Sequence, residues 1–245
     1  MQEILALTLT SLQHDMARLD HVALNLANVA TPGYKRQVLA VQPFAEAMRG
    51  AAAQAGATEP AAVVSDLRTG TIKTTGQPLD LALAGDGYFE VLTDSGPAYT
   101  RKGDFTVDAR GRLVTAQGFP VMGKGGDIRL SGRAPTIDEA GNVSEAATDG
   151  SGAAVAVGQL KVVHFDKSQA LRRLGDGLLA PGEGMALLAD GEVRLRQGAL
   201  ENSNVNATRE MVDLMQAMRH FETMHRVVQG YDEMIGGAVR KLGEA

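Results

Sequence analysis

The residue types that could support chemistry are few and scattered along these 245 residues. His220 and His225 stand five apart, which puts them on different faces of a helix and misses the four-residue spacing of a metal-binding pair. A structural or surface role follows for both. Asp86, Asp104 and Asp108 fall in glycine-rich turns, where aspartate is favoured because its side chain bonds local backbone amides. The run "GDFTVDARG" is too sparse in oxygen ligands for a calcium loop. "GKGGDIRLSG" at 123–132 has the glycine content of a phosphate loop but lacks the GK[ST] ending and the following helix. The chain has no cysteine, which excludes disulfides, thiolate catalysis and zinc-thiolate sites. No catalytic residue, metal ligand or cofactor-binding residue is predicted, so no cofactor is expected.

Composition narrows the classes further. Aromatic residues make up 4%, tryptophan is absent and there are 29 glycines, a texture of many turns that is lean for an enzyme pocket. The net charge of -5, without a Lys/Arg cluster, argues against nucleic acid. No stretch approaches the ~18 apolar residues of a membrane span, so the chain is not expected to be membrane-embedded. The N-terminus carries Glu3, is interrupted by Gln13, His14, Asp15 and Arg18, and has no small-residue cleavage site, which is not a secretory signal.

What the sequence does carry is periodicity. From Leu5 the apolar residues fall at Leu5, Leu9, Leu12, Met16, Leu19, Ala23, Leu26 and Ala30, a heptad seam that ends at Thr31-Pro32-Gly33, where proline forces its predecessor out of the helical region. Residues 45–62 are alanine- and glycine-rich and read as linker. From about residue 71 short alternating runs such as Leu79-Asp80-Leu81-Ala82-Leu83, punctuated by turns such as Asp108-Ala109-Arg110-Gly111, predict antiparallel β-structure. After "QGALENSNVN" the helical period returns at Met211, Leu214, Met218, Phe221, His225, Val228, Asp232, Ile235, Val239 and Leu242. A flanking row at Val227, Tyr231 and Met234 makes that face wider than one partner helix needs. Asn206 or Thr208 is the expected cap, with Glu210 in the first turn.

The expected fold class is α+β: N- and C-terminal helices pairing as a coiled-coil-like assembly domain around a central all-β domain. The expected divisions are an N-terminal assembly helix at 1–36, a linker at 37–75, the β domain at 76–196 and a C-terminal assembly helix at 197–245. Surplus apolar helix surface points to neighbouring subunits, and a head-to-tail contact that does not close generates a filament or tube.

Four segments carry a resemblance: "NLANVATPGYKR" at 25–36, "GQPLDLALAGDGYFEV" at 76–91, "AYTRKGDFTVDARGRLVTAQGFPVMG" at 98–123 and "QGALENSNVNATREMVDLMQAMRHFE" at 197–222. In this order they are similar to the signature segments of bacterial flagellar rod and hook proteins. They span about half the chain; residues 45–62 and 132–157 depart from any shared pattern. Length, "TPGY", "GKGGDIRL" and "GQLKVVHF" followed by "RRLGDGLL" look most like the proximal-rod members, with distal-rod members second.

The resemblance implies a structural subunit of the basal-body rod, a hollow torque-transmitting shaft around an export channel. It implies copies of itself and other rod proteins as partners, and export by the flagellar type III apparatus. It marks Asn25, Asn28, Thr31, Pro32, Gly33, Tyr34 and Lys35 as one junction motif, and Glu201, Ser203, Asn204 and Val205 as another. There asparagine and glycine are expected to reverse the chain, with the amides joining backbone groups between subunits or else capping their own helices. The assembly seams are Leu5, Leu9, Leu12, Met16, Leu19 and Leu26 on the first helix, and Met211, Leu214, Met218, Phe221, Val228, Ile235 and Val239 on the second. The competing class is an autonomous β-domain binding module dimerised by its terminal helices.

Overall fold

The computed structural model describes residues 2–39, 63–132, 134–147, 153–165, 171–182, 184–189 and 191–243; the linker predicted at 45–62 lies outside them. Helix α1 spans Gln2–Ala27 and contains no glycine or proline. Helix α2 spans Ala207–Gly243. Asn206 caps α2: its side-chain oxygen accepts from the Arg209 N–H at 3.1 Å, and Glu210 sits in the first turn, where the helix dipole favours negative charge.

The chain divides into two compact units. The first holds α1, the strand Gln37–Leu39 and α2. Here the expected fold class needs correction. The two terminal helices and the β-rich middle are present, but the helices do not pair as a coiled coil through the predicted seams. A coiled coil buries its a and d positions, whereas Leu9 is 57%, Met16 56%, Met211 50%, Met218 50% and Ile235 43% exposed. Leu12, Leu19, Leu26, Leu214, Phe221 and Val228 are only half-buried. Leu5 and Val239 belong to the helices, but their side chains lie outside the described residues.

Among the described residues the buried positions are instead Thr8, Asp15, Val22 and Asn25 on α1, and Glu210 and Ala217 on α2. Polar contacts join the helices in antiparallel order: Asn25 Nδ2 to Glu210 Oε2 at 3.2 Å, Arg18 to Asp213 at 3.8 Å, and His220 Nδ1 to Asp15 Oδ2 at 2.6 Å. The physical reason is plain: buried carboxylates must be paired, and Ala217, fully buried, adds no bulk at the contact, so the polar line faces inward and the apolar line outward.

The second unit contains residues 28–36 and 64–205. Its largest element is a six-stranded antiparallel sheet in the order Arg173–Gly175, Leu178–Leu179, Gly96–Thr100, Tyr88–Thr93, Val162–Phe165, Met185–Leu187. Alternate residues of Tyr88–Thr93 serve opposite faces, as a strand requires. Phe89 and Val91 join the main core with Leu81, Leu83, Phe105, Leu113, Val121 and Leu160, while Tyr88 joins Tyr99, Val163, Phe165, Leu171 and Leu179. Phe89 meets Phe105 edge-on at 5.2 Å; Tyr99 meets Phe165 edge-on at 4.9 Å.

Two further pairs bring the start and end of this unit together. Ile72–Thr74 pairs with Ala199–Glu201, placing Glu201 opposite Ile72, and Leu81–Leu83 pairs with Leu195–Gln197. The predicted Asp108 turn closes a hairpin between Thr106–Val107 and Leu113–Val114; Asp108 Oδ1 accepts from the N–H groups of Arg110 and Arg112, each at 2.8 Å.

Burial, reinforced by the Glu90 carboxylate, pushes the Tyr99 hydroxyl up from 10.0 to about 12. Between those values the unfolded chain releases this proton and the native chain keeps it, so stability falls as pH rises through the window. A phenolate absorbance titration should show Tyr99 ionising late among the 4 tyrosines, and Tyr99→Phe should remove its share of the alkaline loss in urea unfolding.

Candidate functional site

In the second unit the two sequence-marked motifs converge on one buried carboxylate. Thr31 turns back on Asn28, its N–H donating to the Asn28 carbonyl at 3.1 Å and its hydroxyl to the Asn28 side-chain oxygen at 3.1 Å. Pro32 follows, and Gly33 takes φ +65°, a left-handed conformation costly for other residues. A Cβ there would lie 2.6 Å from the Arg101 carbonyl carbon and 2.7 Å from the Lys102 nitrogen, so the position has no room for a side chain. The Gly33 N–H donates to the Glu201 carbonyl at 2.7 Å.

This turn drives Lys35 inward. Its ammonium donates to Glu201 Oε1 at 2.5 Å and to the Arg68 carbonyl at 2.9 Å. The Gly70 N–H also donates to Glu201 Oε1 at 2.9 Å. Arg101 Nη1 approaches Glu201 Oε2 at 3.4 Å and the Leu83 carbonyl at 3.3 Å. Lys35 and Arg101 are each 5% exposed and Glu201 1%. The cluster therefore buries two cations on one carboxylate. Burial pulls the Lys35 ammonium below the usual lysine range, the Glu201 carboxylate acting against it and Arg101 with it. Arg101 Nε has no hydrogen-bond partner; the guanidinium lies 5.3 Å from the Tyr88 ring centre, a cation–π contact that offsets part of the cost.

The side-chain amides bond the chain's own backbone. Asn204 Oδ1 accepts from the Arg36 N–H at 2.7 Å, while its Nδ2 donates to the carbonyls of Asp66 and Arg68 at 2.8 and 2.9 Å. Ser203 Oγ accepts from the Val205 N–H at 3.2 Å, and Val205 is buried. Tyr34, buried, lies under the Arg173 guanidinium at 5.1 Å; Arg173 also donates to Ser65 Oγ at 2.8 Å and to the Lys35 carbonyl. Within the first unit, Asn25 holds the Gln37 backbone at both ends, accepting its N–H at 2.8 Å and donating to its carbonyl at 2.9 Å.

Sequence reasoning missed Arg101, Arg173, Gly70 and Arg68. Nothing local marks them, since each meets its partner only through the fold. Among the described residues no group of three or more His, Asp or Glu side chains could hold a metal, and no helix is long and apolar enough to cross a membrane. His220 serves Asp15, and His225 stacks on Phe221 at 6.5 Å.

Residues 82–145 match the model of the flagellar hook protein FlgE/F/G D1 domain, and residues 196–240 match that of the flagellar basal body rod FlgEFG protein C-terminal region. The chain is 35% identical to the flagellar basal-body rod protein FlgF of Escherichia coli, over 90% of each chain. It is 32% identical to FlgF of Rhizobium meliloti over 99% of each, and 31% identical to FlgG of Bacillus subtilis over 93% of this chain and 94% of that one.

The chain belongs to the flagellar basal-body rod protein family. It is a structural rod subunit, of a family that is not one of enzymes. The D1 match covers Arg101 and the core strands around it, and the C-terminal match covers Glu201 and Asn204, so both halves of the ionic cluster except Lys35 lie in family-defining segments.

Charge accounting within the cluster gives a test. Glu201→Gln leaves two buried cations without a counter-charge and should cost about 3–5 kcal/mol. Lys35→Met leaves Arg101 still facing Glu201 and should cost less than half of that. Urea unfolding of the two variants measures the difference; equal losses would mean that Arg101 does not neutralise Glu201.

Proposed function

We propose that the chain is a subunit of the proximal section of the flagellar rod. It packs with copies of itself and with other rod proteins into a hollow helical shaft that transmits torque and encloses the export channel. It reaches that place through the flagellar type III apparatus, a route suited to a chain with no thiol to pair on the way. The role requires no catalysis.

The observation that carries this reading is the unspent apolar surface of the helix unit in a chain of this family. Leu9, Met16, Met211, Met215, Met218 and Met234 are each at least half exposed, Met234 reaching 62%. Large apolar side chains left exposed, with Met211, Met215 and Met218 on one helix face, mark a surface for partners. Unbranched, polarisable methionine side chains adapt to non-identical neighbours, as a subunit between different rod proteins would need. The proximal assignment rests on the segments "TPGY", "GKGGDIRL" and "GQLKVVHF" followed by "RRLGDGLL", since the FlgF relatives, at 32–35% identity, overlap the FlgG relatives, at 30–32%.

Met211→Lys/Met218→Lys should leave the circular dichroism spectrum of the purified chain unchanged, since both side chains face solvent, yet abolish incorporation into basal bodies and swimming. Cells that swim normally with this variant would overturn the assembly role of the stripe and favour the β-domain binding module. Fractionated basal bodies should carry the chain in the section next to the inner membrane; recovery from the outer section would make it a distal-rod subunit.

A further inference from the structure

We propose that Met211, Met215 and Met218 are an oxidation site that controls assembly: a peroxide converts their thioethers to sulfoxides, and a copy so modified is shut out of the rod until it is reduced. This rests on the rod reading above, because the consequence falls on incorporation.

The three residues stand at i, i+4 and i+7 of α2, on one helix face, and each is half exposed. Ala217, between them in the sequence, is fully buried, so the helix turns a small residue inward and its sulfurs outward. Five of the 10 methionines lie on α2. The β unit is guarded by comparison: Met122 is half-buried, and the Met185 sulfur accepts the Tyr99 hydroxyl at 2.8 Å, which occupies a lone pair. With no cysteine and no tryptophan in the chain, no more readily oxidised side chain draws the oxidant away from these thioethers.

The step is an oxygen transfer. A methionine sulfur lone pair attacks one oxygen of hydrogen peroxide, and the O–O bond breaks as the S–O bond forms. The departing hydroxide takes the proton of the transferred oxygen and leaves as water. The thioether is oxidised by two electrons and the peroxide is reduced. A flexible apolar side chain becomes a polar, chiral one, a change that disrupts methionine-rich interfaces and is reversed by sulfoxide reductases. Three adjacent sulfoxides would carry polar groups into a contact that offers thioethers apolar surroundings, where unpaired polar groups are costly. A copy already in the rod has this face covered, so the site is open on free copies.

In hydrogen peroxide the purified full chain should gain oxygen at Met211, Met215 and Met218 before Met122 and Met185, read by peptide mass mapping; oxidation of the three no earlier than the other two would overturn the site. In cells exposed to peroxide while rods are being built, incorporation of the wild-type chain should fall several-fold, whereas Met211→Leu/Met215→Leu/Met218→Leu should keep the level it reaches without peroxide. An equal proportional fall in both would overturn the control. A second measurement needs no variant: after a peroxide pulse quenched before rods are complete, sulfoxide at the three positions should be several-fold scarcer in basal bodies than in unincorporated chain, with Met122 sulfoxide alike in both. Equal sulfoxide at the three positions in the two pools would overturn the proposal and leave the rod reading standing. Absence of the wild-type chain from basal bodies of unstressed cells would bring down the rod reading, and this control with it.

Discussion

One buried carboxylate governs the second unit. Glu201 is almost wholly withdrawn from water, and a carboxylate can be held there only if cations and donors replace its hydration. Its partners come from three separated parts of the chain: Lys35 from the turn after α1, Gly70 from just before the strand Ile72–Thr74 and Arg101 from just past the strand Gly96–Thr100. Satisfying one group therefore fixes four segments. The neighbouring constraints serve the same end. Gly33 lies against the Arg101 backbone because it has no side chain, and Asn204 spends its amide on three backbone groups that flank the cluster.

The helix unit is built on the same logic with a different outcome. Its inward line is polar, with Asp15 and Glu210 buried and each answered across the pair. Polar contacts of this kind contribute less net stability than apolar packing would, but they are particular about register, since each joins specific side chains of the two helices. The apolar residues that a self-sufficient helix pair would have buried are left outward, and it is this division that makes the unit look incomplete alone.

Much of this was legible in the sequence. The 3.6-residue period located both helices, and alternation at Leu79, Leu81 and Leu83 located a core strand. Of the two junction motifs, singled out through the family resemblance, Gly33 and Lys35 meet Glu201, while Asn25 serves Gln37 and Glu210 instead. What failed was the partner of the helical stripe: periodicity says which residues share a face, but not whether that face looks inward. Asp15, read as an interruption of the apolar N-terminal run, is buried and paired with His220, 205 positions away. Arg101 and Arg173 were invisible for a similar reason. A cation reads as surface until the fold supplies the carboxylate or ring that it meets.

The pairing of Ile72 with Glu201 has a mechanical side. Within the β unit the chain enters Ile72–Thr74 and leaves Ala199–Glu201 on adjacent strands running in opposite directions, so a force that moves residues 71 and 202 together puts no load across that pair. A force that separates them would act as on a zipper, opening the rungs one at a time from the Ile72–Glu201 end. Lys35, Gly70 and Arg101 all grip Glu201 at that first rung. The fold has thus placed a side chain tethered to three other segments where peeling would have to start.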